Sequence, residues 1–120
     1  MTHHAMSHSM SPEMQECIQI CLETHRISTL TAHHCLSMGG EHAAPEHIGI
    51  LLDNAQIALT SADFMLRNSR FHARTCTACA VINEACATEC ERIGPDPMMQ
   101  QCIDQCRRCA ESCRRMAEMA

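Results

Sequence analysis

The sequence has no tryptophan, no tyrosine and only two phenylalanines among its 120 residues. That excludes a core of ordinary aromatic packing. It also excludes a nucleic-acid surface that works by stacking bases on aromatic rings. A basic excess is missing too. The net charge is −5 with histidines neutral, and the local cluster Arg107, Arg108, Arg114 and Arg115 reads as a solvated helix face. No run approaches the roughly 18 apolar residues of a membrane span. The opening MTHHAMSHSMSPEM lacks the basic region and apolar stretch of a secretory signal. The chain is therefore expected in the cytoplasm, where thiols are kept reduced. Nothing alternates with period two over a useful length, so no strand competes with helix.

What is present is sulfur: eleven cysteines and ten methionines. In a short secreted protein so many cysteines would suggest a disulfide scaffold. The odd count and the expected compartment both argue against that.

The helix signals divide the chain into four long segments. The first opens at Ser11-Pro12, a cap followed by proline at the first helical position, and stops at Gly39-Gly40. The second starts near Pro45 and ends around Arg67-Asn68. The third follows Ser69 as cap and ends at Gly94. The fourth has Asp96 as cap and Pro97 in its first turn, and continues almost to Ala120. Long helices joined by short loops pack as antiparallel neighbours. The expected fold is all-α, an antiparallel up-down four-helix bundle over residues 11–120. Residues 1–10, rich in His and Met, read as a flexible or short-helical arm.

In the fourth segment Met99, Cys102, Cys106, Cys109, Cys113 and Met116 recur in steps of three and four. The third carries Cys76, Cys79, Asn83, Cys86 and Cys90 in the same rhythm. The first carries Cys17, Cys21, Thr24, Ser28, Thr31 and Cys35. Such steps keep residues on one helix face, which in a bundle points at the axis. The second segment has no cysteine; its inward line is Leu51, Asn54, Ala58, Ser61 and Met65. Cysteine can serve as a small hydrophobe. All eleven on inward faces, beside Ser, Thr and Asn, would make a loose and polar core unless something filled it.

The spacing indicates the filling. Thiols one helical turn apart lie about 5–6 Å apart at Cβ, close enough to share a metal ion. Soft thiolates, with thioethers nearby, suit Cu(I) best. Zinc is the main rival, but its sites are closed four-ligand sets, commonly built on CxxC knuckles in loops. Here CxxxC dominates, and the two CxxC spacings fall inside helices.

MGGEHAAPEH (38–47), TSADFMLR (60–67), FHARTC (71–76) and QCRRCAESCRRMA (105–117) carry a family likeness. The chain resembles the bacterial cytosolic copper storage proteins, the Csp family, over residues 11–117. The resemblance implies a homotetramer of bundles, each storing many Cu(I) ions on interior thiolates without catalysis. Family members can carry thiols along all four helices. Thr24, Ser28, Asn54, Ala58, Ser61 and Asn83 occupy inward lines here instead.

Antiparallel stacking sorts the thiols by height. Cys17, Cys21, Cys76, Cys79, Cys109 and Cys113 fall at one end, and Cys35, Cys86, Cys90, Cys102 and Cys106 at the other. Thr24, Ser28, Asn54 and Asn83 fall between. Two thiolate clusters separated by a polar layer are expected, with Asn54 and Asn83 paired in that layer. Met65, Met99, Met116 and His34 are auxiliary metal candidates, and His25 is expected to face a neighbouring helix or solvent. The expected partners are copper ions, delivered by a copper chaperone or a small-molecule thiol. An iron–sulfur or zinc cluster in the same bundle is the alternative. An enzyme is not expected: no exposed low-pKa thiol is recognisable. EHAAPEH (41–47) is also interrupted by Pro45, which spoils a di-iron motif.

Overall fold

The computed structural model describes residues 10–94 and 96–119. The arm expected at 1–10 lies, apart from Met10, outside the described residues. Four helices follow one another: α1 (Pro12–Met38), α2 (Pro45–Leu66), α3 (His72–Ile93) and α4 (Pro97–Met119). A 3-10 turn, Gly40–Ala43, joins α1 to α2.

Local chemistry sets most of the ends. Ser11 is extended, and its Oγ accepts the Met14 N–H at 3.1 Å. Asp96 does the same for α4: its Oδ1 accepts the Met99 N–H at 2.8 Å. Asn68 closes α2 in the left-handed region, at φ 53°. The N–H groups of Asn68 and Ser69 return to the carbonyls of Met65 and Phe64, each at 2.9 Å. This doubly bonded ending satisfies carbonyls that a helix end otherwise orphans. The third helix begins later than expected, at His72 rather than directly after Ser69. Ser69 caps a turn instead, its Oγ accepting the Phe71 N–H at 3.1 Å.

α1 packs against α2 and α4, and α3 against the same two, which gives a square antiparallel bundle. The inward faces are those read from periodicity: all eleven cysteines and Leu51, Asn54, Ala58, Ser61, Met65 and Asn83 are fully buried. The buried apolar residues fall into two groups along the axis. One surrounds Cys17, Cys21, Cys76, Cys79, Cys109 and Cys113, with Met14, Met65 and Met116. The other surrounds Cys35, Cys86, Cys90, Cys102 and Cys106, with Leu51 and Met99. No helix among the described residues is long and apolar enough to cross a membrane.

Candidate metal centre

Each thiol owes its place to helix register, but the groupings arise between helices. At the first end, Cys21, Cys79, Cys109 and Cys113 bring their sulfurs within 4.8 Å of one another, and so do Cys17, Cys76 and Cys113. Cys113 belongs to both sets. Its Sγ lies 3.5 Å from Cys21 and 3.8 Å from Cys17. Cys109 sits 3.9 Å from both Cys21 and Cys79. α1, α3 and α4 thus supply one continuous six-thiol group. At the second end Cys86, Cys102 and Cys106 converge within 4.8 Å. All eleven thiols are free.

These distances suit metal. An ion held by three sulfurs at about 2.3 Å, the zinc–thiolate length, spaces them about 4 Å apart. A thiol shared between two sets lets neighbouring ions be bridged by one sulfur. An isolated four-thiolate zinc site has no use for such sharing.

The protons are unevenly held. Cys113 is in contact with Cys17 and Cys21, and either sulfur of each pair can donate. Thiol contacts, first that with Cys109, push its pKa up, while those of Cys109 and Cys17 are pulled down, chiefly by Cys113. At the other end Cys102 is pulled down by its thiol contacts, first with Cys106, then with Cys86 and Cys90. Cys86, Cys90 and Cys106 are pushed up, first by the contact with Cys102. For Cys86 the contacts with Cys106 and Cys90 follow; for Cys90 and Cys106 the Cys102 contact and burial together outweigh an opposing contact with Cys86. For Cys76, the lowering contact with Cys113 is outweighed by the contact with Cys17 and by burial, and the thiol is raised to about 12. Burial, followed by the negative charge of Asp96, raises Cys35 to about 11. Burial disfavours the thiolate form, so a cation that binds here displaces thiol protons.

A polar layer separates the groups. Thr24 turns its hydroxyl to the Ile20 carbonyl at 2.7 Å and also accepts from Gln105 Nε2 at 3.0 Å. The expected pairing of Asn54 with Asn83 does not occur. Asn54 Nδ2 donates to Ser28 Oγ at 3.0 Å and to Cys106 Sγ at 3.3 Å. Asn83 Nδ2 donates to the carbonyl and sulfur of Cys79 at 2.9 and 3.2 Å. Each amide faces the opposite thiol group, because a sulfur acceptor stands within reach of each. The two amide oxygens, Asn54 Oδ1 and Asn83 Oδ1, are buried without partners.

The auxiliary candidates divide. Met65 Sδ lies 3.8 Å from Cys76 Sγ, and Met99 Sδ 3.5 Å from Cys35 Sγ. Met116 is buried in the first apolar group. His34 turns away from the thiols and meets Asp96 at 3.0 Å. His25 contacts the Ala55 carbonyl on α2 through Nδ1, at 2.8 Å. Sequence reasoning missed His47. It is fully buried, with Nε2 3.3 Å from Cys35 Sγ. Its signal was present: one step of four back from Leu51, along the inward line of α2, lands on His47.

The profile of the copper storage protein family matches residues 10–118. The chain belongs to that family. It is 33% identical over 108 residues to an uncharacterized cysteine-rich protein, YhjQ, of Bacillus subtilis, covering 82% of this chain and 96% of that one. Among solved structures, the Nmul_A1745 protein of Nitrosospira multiformis superposes with a TM-score of 0.85 at 40% identity, covering 90% of this chain and 97% of that one. The Cu(I)-bound copper storage protein BsCsp3 gives 0.82 at 30% identity, covering 88% and 98%. The apo copper storage protein 3 of Bacillus subtilis gives 0.78 at 31%, covering 86% and 97%. The family shares this bundle fold, and copper storage is its characteristic role.

Proposed function

We propose that this protein stores cuprous ions in the cytoplasm, holding them on thiolates inside the bundle, and that it does so without catalysis. One observation carries the reading: eleven free cysteines, none exposed, line the interior. The ligands are Cys17, Cys21, Cys76, Cys79, Cys109 and Cys113 at one end and Cys35, Cys86, Cys90, Cys102 and Cys106 at the other. Two separate clusters form, because the layer of Thr24, Ser28, Asn54 and Asn83 offers no thiolate to bridge them. Met65 and Met99 assist as weak thioether ligands, a role their contacts with Cys76 and Cys35 support. A copper chaperone or a small-molecule thiol supplies the ions.

The bundle at residues 11–120 is the binding unit, and it assembles as a homotetramer. The family resemblance supports that assembly. Anaerobic titration of the reduced protein with Cu(I), against a competing chelator, tests the storage reading. Several equivalents per chain are expected. Saturation at a single equivalent, or tighter uptake of zinc than of Cu(I), would overturn it.

A further inference from the structure

Beside the second thiol group, but outside it, stands a set of nitrogen and oxygen ligands. His34 on α1 and His42 on the 3-10 turn both direct Nε2 at the same oxygen, Asp96 Oδ2, at 3.0 and 3.6 Å. Asp96 stands just ahead of α4. Its other oxygen is held by the Met99 N–H, which fixes the carboxylate. His42 Nε2 is buried and has no hydrogen-bond partner. A buried ring nitrogen without a partner has lost its water and gained nothing in return. The three side chains keep 28%, 21% and 19% of their surface exposed, so an ion can arrive from solvent.

We propose that His34, His42 and Asp96 form a site for a divalent first-row cation, distinct from the Cu(I) store. The donor type decides the class. Two imidazoles and a carboxylate suit Zn(II), Co(II), Ni(II) or Cu(II), whereas Cu(I) prefers thiolate. The spacing agrees. Ligands at about 2.0 Å from a tetrahedral ion are about 3.3 Å apart, and the two observed nitrogen–oxygen distances bracket that value. These three ligand atoms are not all within 4.8 Å of one another, as the thiol sets are. The imidazoles must close on the ion, and His42 sits on the short 3-10 turn between α1 and α2. A bound ion would tie α1, the 3-10 turn and the start of α4 together beside Cys35, with water completing its shell.

Cobalt(II) is the probe, because its spectrum separates the two ligand classes. Thiolate ligation gives an intense sulfur-to-cobalt charge-transfer band; nitrogen and oxygen ligation gives weak ligand-field bands alone. Under argon, Co(II) is added to reduced protein and to protein saturated with Cu(I). The saturated protein is expected to take up one further ion per chain, with ligand-field bands and no charge transfer. Asp96→Asn retains a capping side chain, and His42→Gln changes one surface turn, so both variants should fold. Both should lose that ion and leave Cu(I) capacity unchanged. In reduced protein the same variants should lower Co(II) uptake by one ion per chain and leave the charge-transfer band unchanged, which decides the matter even if Cu(I) loading fails. No Co(II) uptake by the saturated protein, uptake unaltered in the variants, or charge transfer as the sole signature would overturn the site.

Discussion

Cys113 Sγ stands 3.5 Å from Cys21 Sγ, although 92 residues separate them in the chain. The contact joins the last helix to the first and makes Cys113 the thiol common to two converging sets. Cys90, at the other end, belongs to neither of the sets that include Cys113. Cys113→Ser should therefore lower Cu(I) capacity more than Cys90→Ser. Chelator-competed titration of the two variants checks this; equal losses would refute a shared ligand. Burying a hydroxyl in place of the thiol should cost the apo protein about 1–3 kcal/mol in either case.

The polar layer makes a second prediction. Asn54 Nδ2 already lies 3.3 Å from Cys106 Sγ, and Asn83 Nδ2 lies 3.2 Å from Cys79 Sγ. Thiols at these two places would adjoin both groups. The double variant Asn54→Cys/Asn83→Cys should bind more Cu(I) than the wild type. An unchanged stoichiometry would show that the layer does not limit storage.

Acid should weaken the metal-free protein through His47. Burial pushes its pKa below the ordinary 6.5, with Glu89 opposing. The unfolded chain then takes up the proton first. The contribution of His47 is present above pH 6.5 and is lost as pH falls through its lower folded value. Unfolding free energy, measured by denaturant at stepped pH, should decline across that window. In His47→Leu this part of the decline should disappear; a decline of equal size in both proteins would contradict the assignment.

Alkali acts through Cys35. Its folded pKa, about 11, exceeds the ordinary 9.0, so the folded state holds the proton more tightly. That contribution is complete below pH 9 and is lost as pH rises through 11. Wild-type and Cys35→Ser apo proteins should therefore converge in stability over this range, compared by the same denaturant series. Parallel curves would show that Cys35 is not the group responsible.

Copper should stabilise the fold. A ligand that binds only the folded state adds about 4 kcal/mol at a thousand times its dissociation constant. The melting temperature of the reduced protein should rise with each addition of Cu(I) and fall back when a chelator removes it. Proton release should accompany uptake, so affinity should fall as pH is lowered. Calorimetry in buffers of different ionisation enthalpy reads that release directly.

The inward faces were legible because helical periodicity is a property of one chain segment. Cys102, Cys106, Cys109 and Cys113 report their common face without reference to any neighbour. The capping roles of Ser11 and Asp96 are equally local. Ser69 was misleading, since a serine hydroxyl bonds a turn N–H as readily as a helix N–H. His47 was less legible, since it stands in the first turn of α2, where side chains are as often solvated as buried, although it shares the register of Leu51.

Sequence alone determined that the chain makes four helices, that sulfur faces inward on three of them, and that thiols collect towards two ends. Only the tertiary structure decided that Cys113 serves two sets, that Asn54 and Asn83 turn to opposite sulfurs, and that His34 and His42 converge on Asp96. The reason is physical. Periodicity sets the direction of a side chain about its own axis. Contact between helices also depends on their axial offset and relative rotation, which the packing of all four sets together.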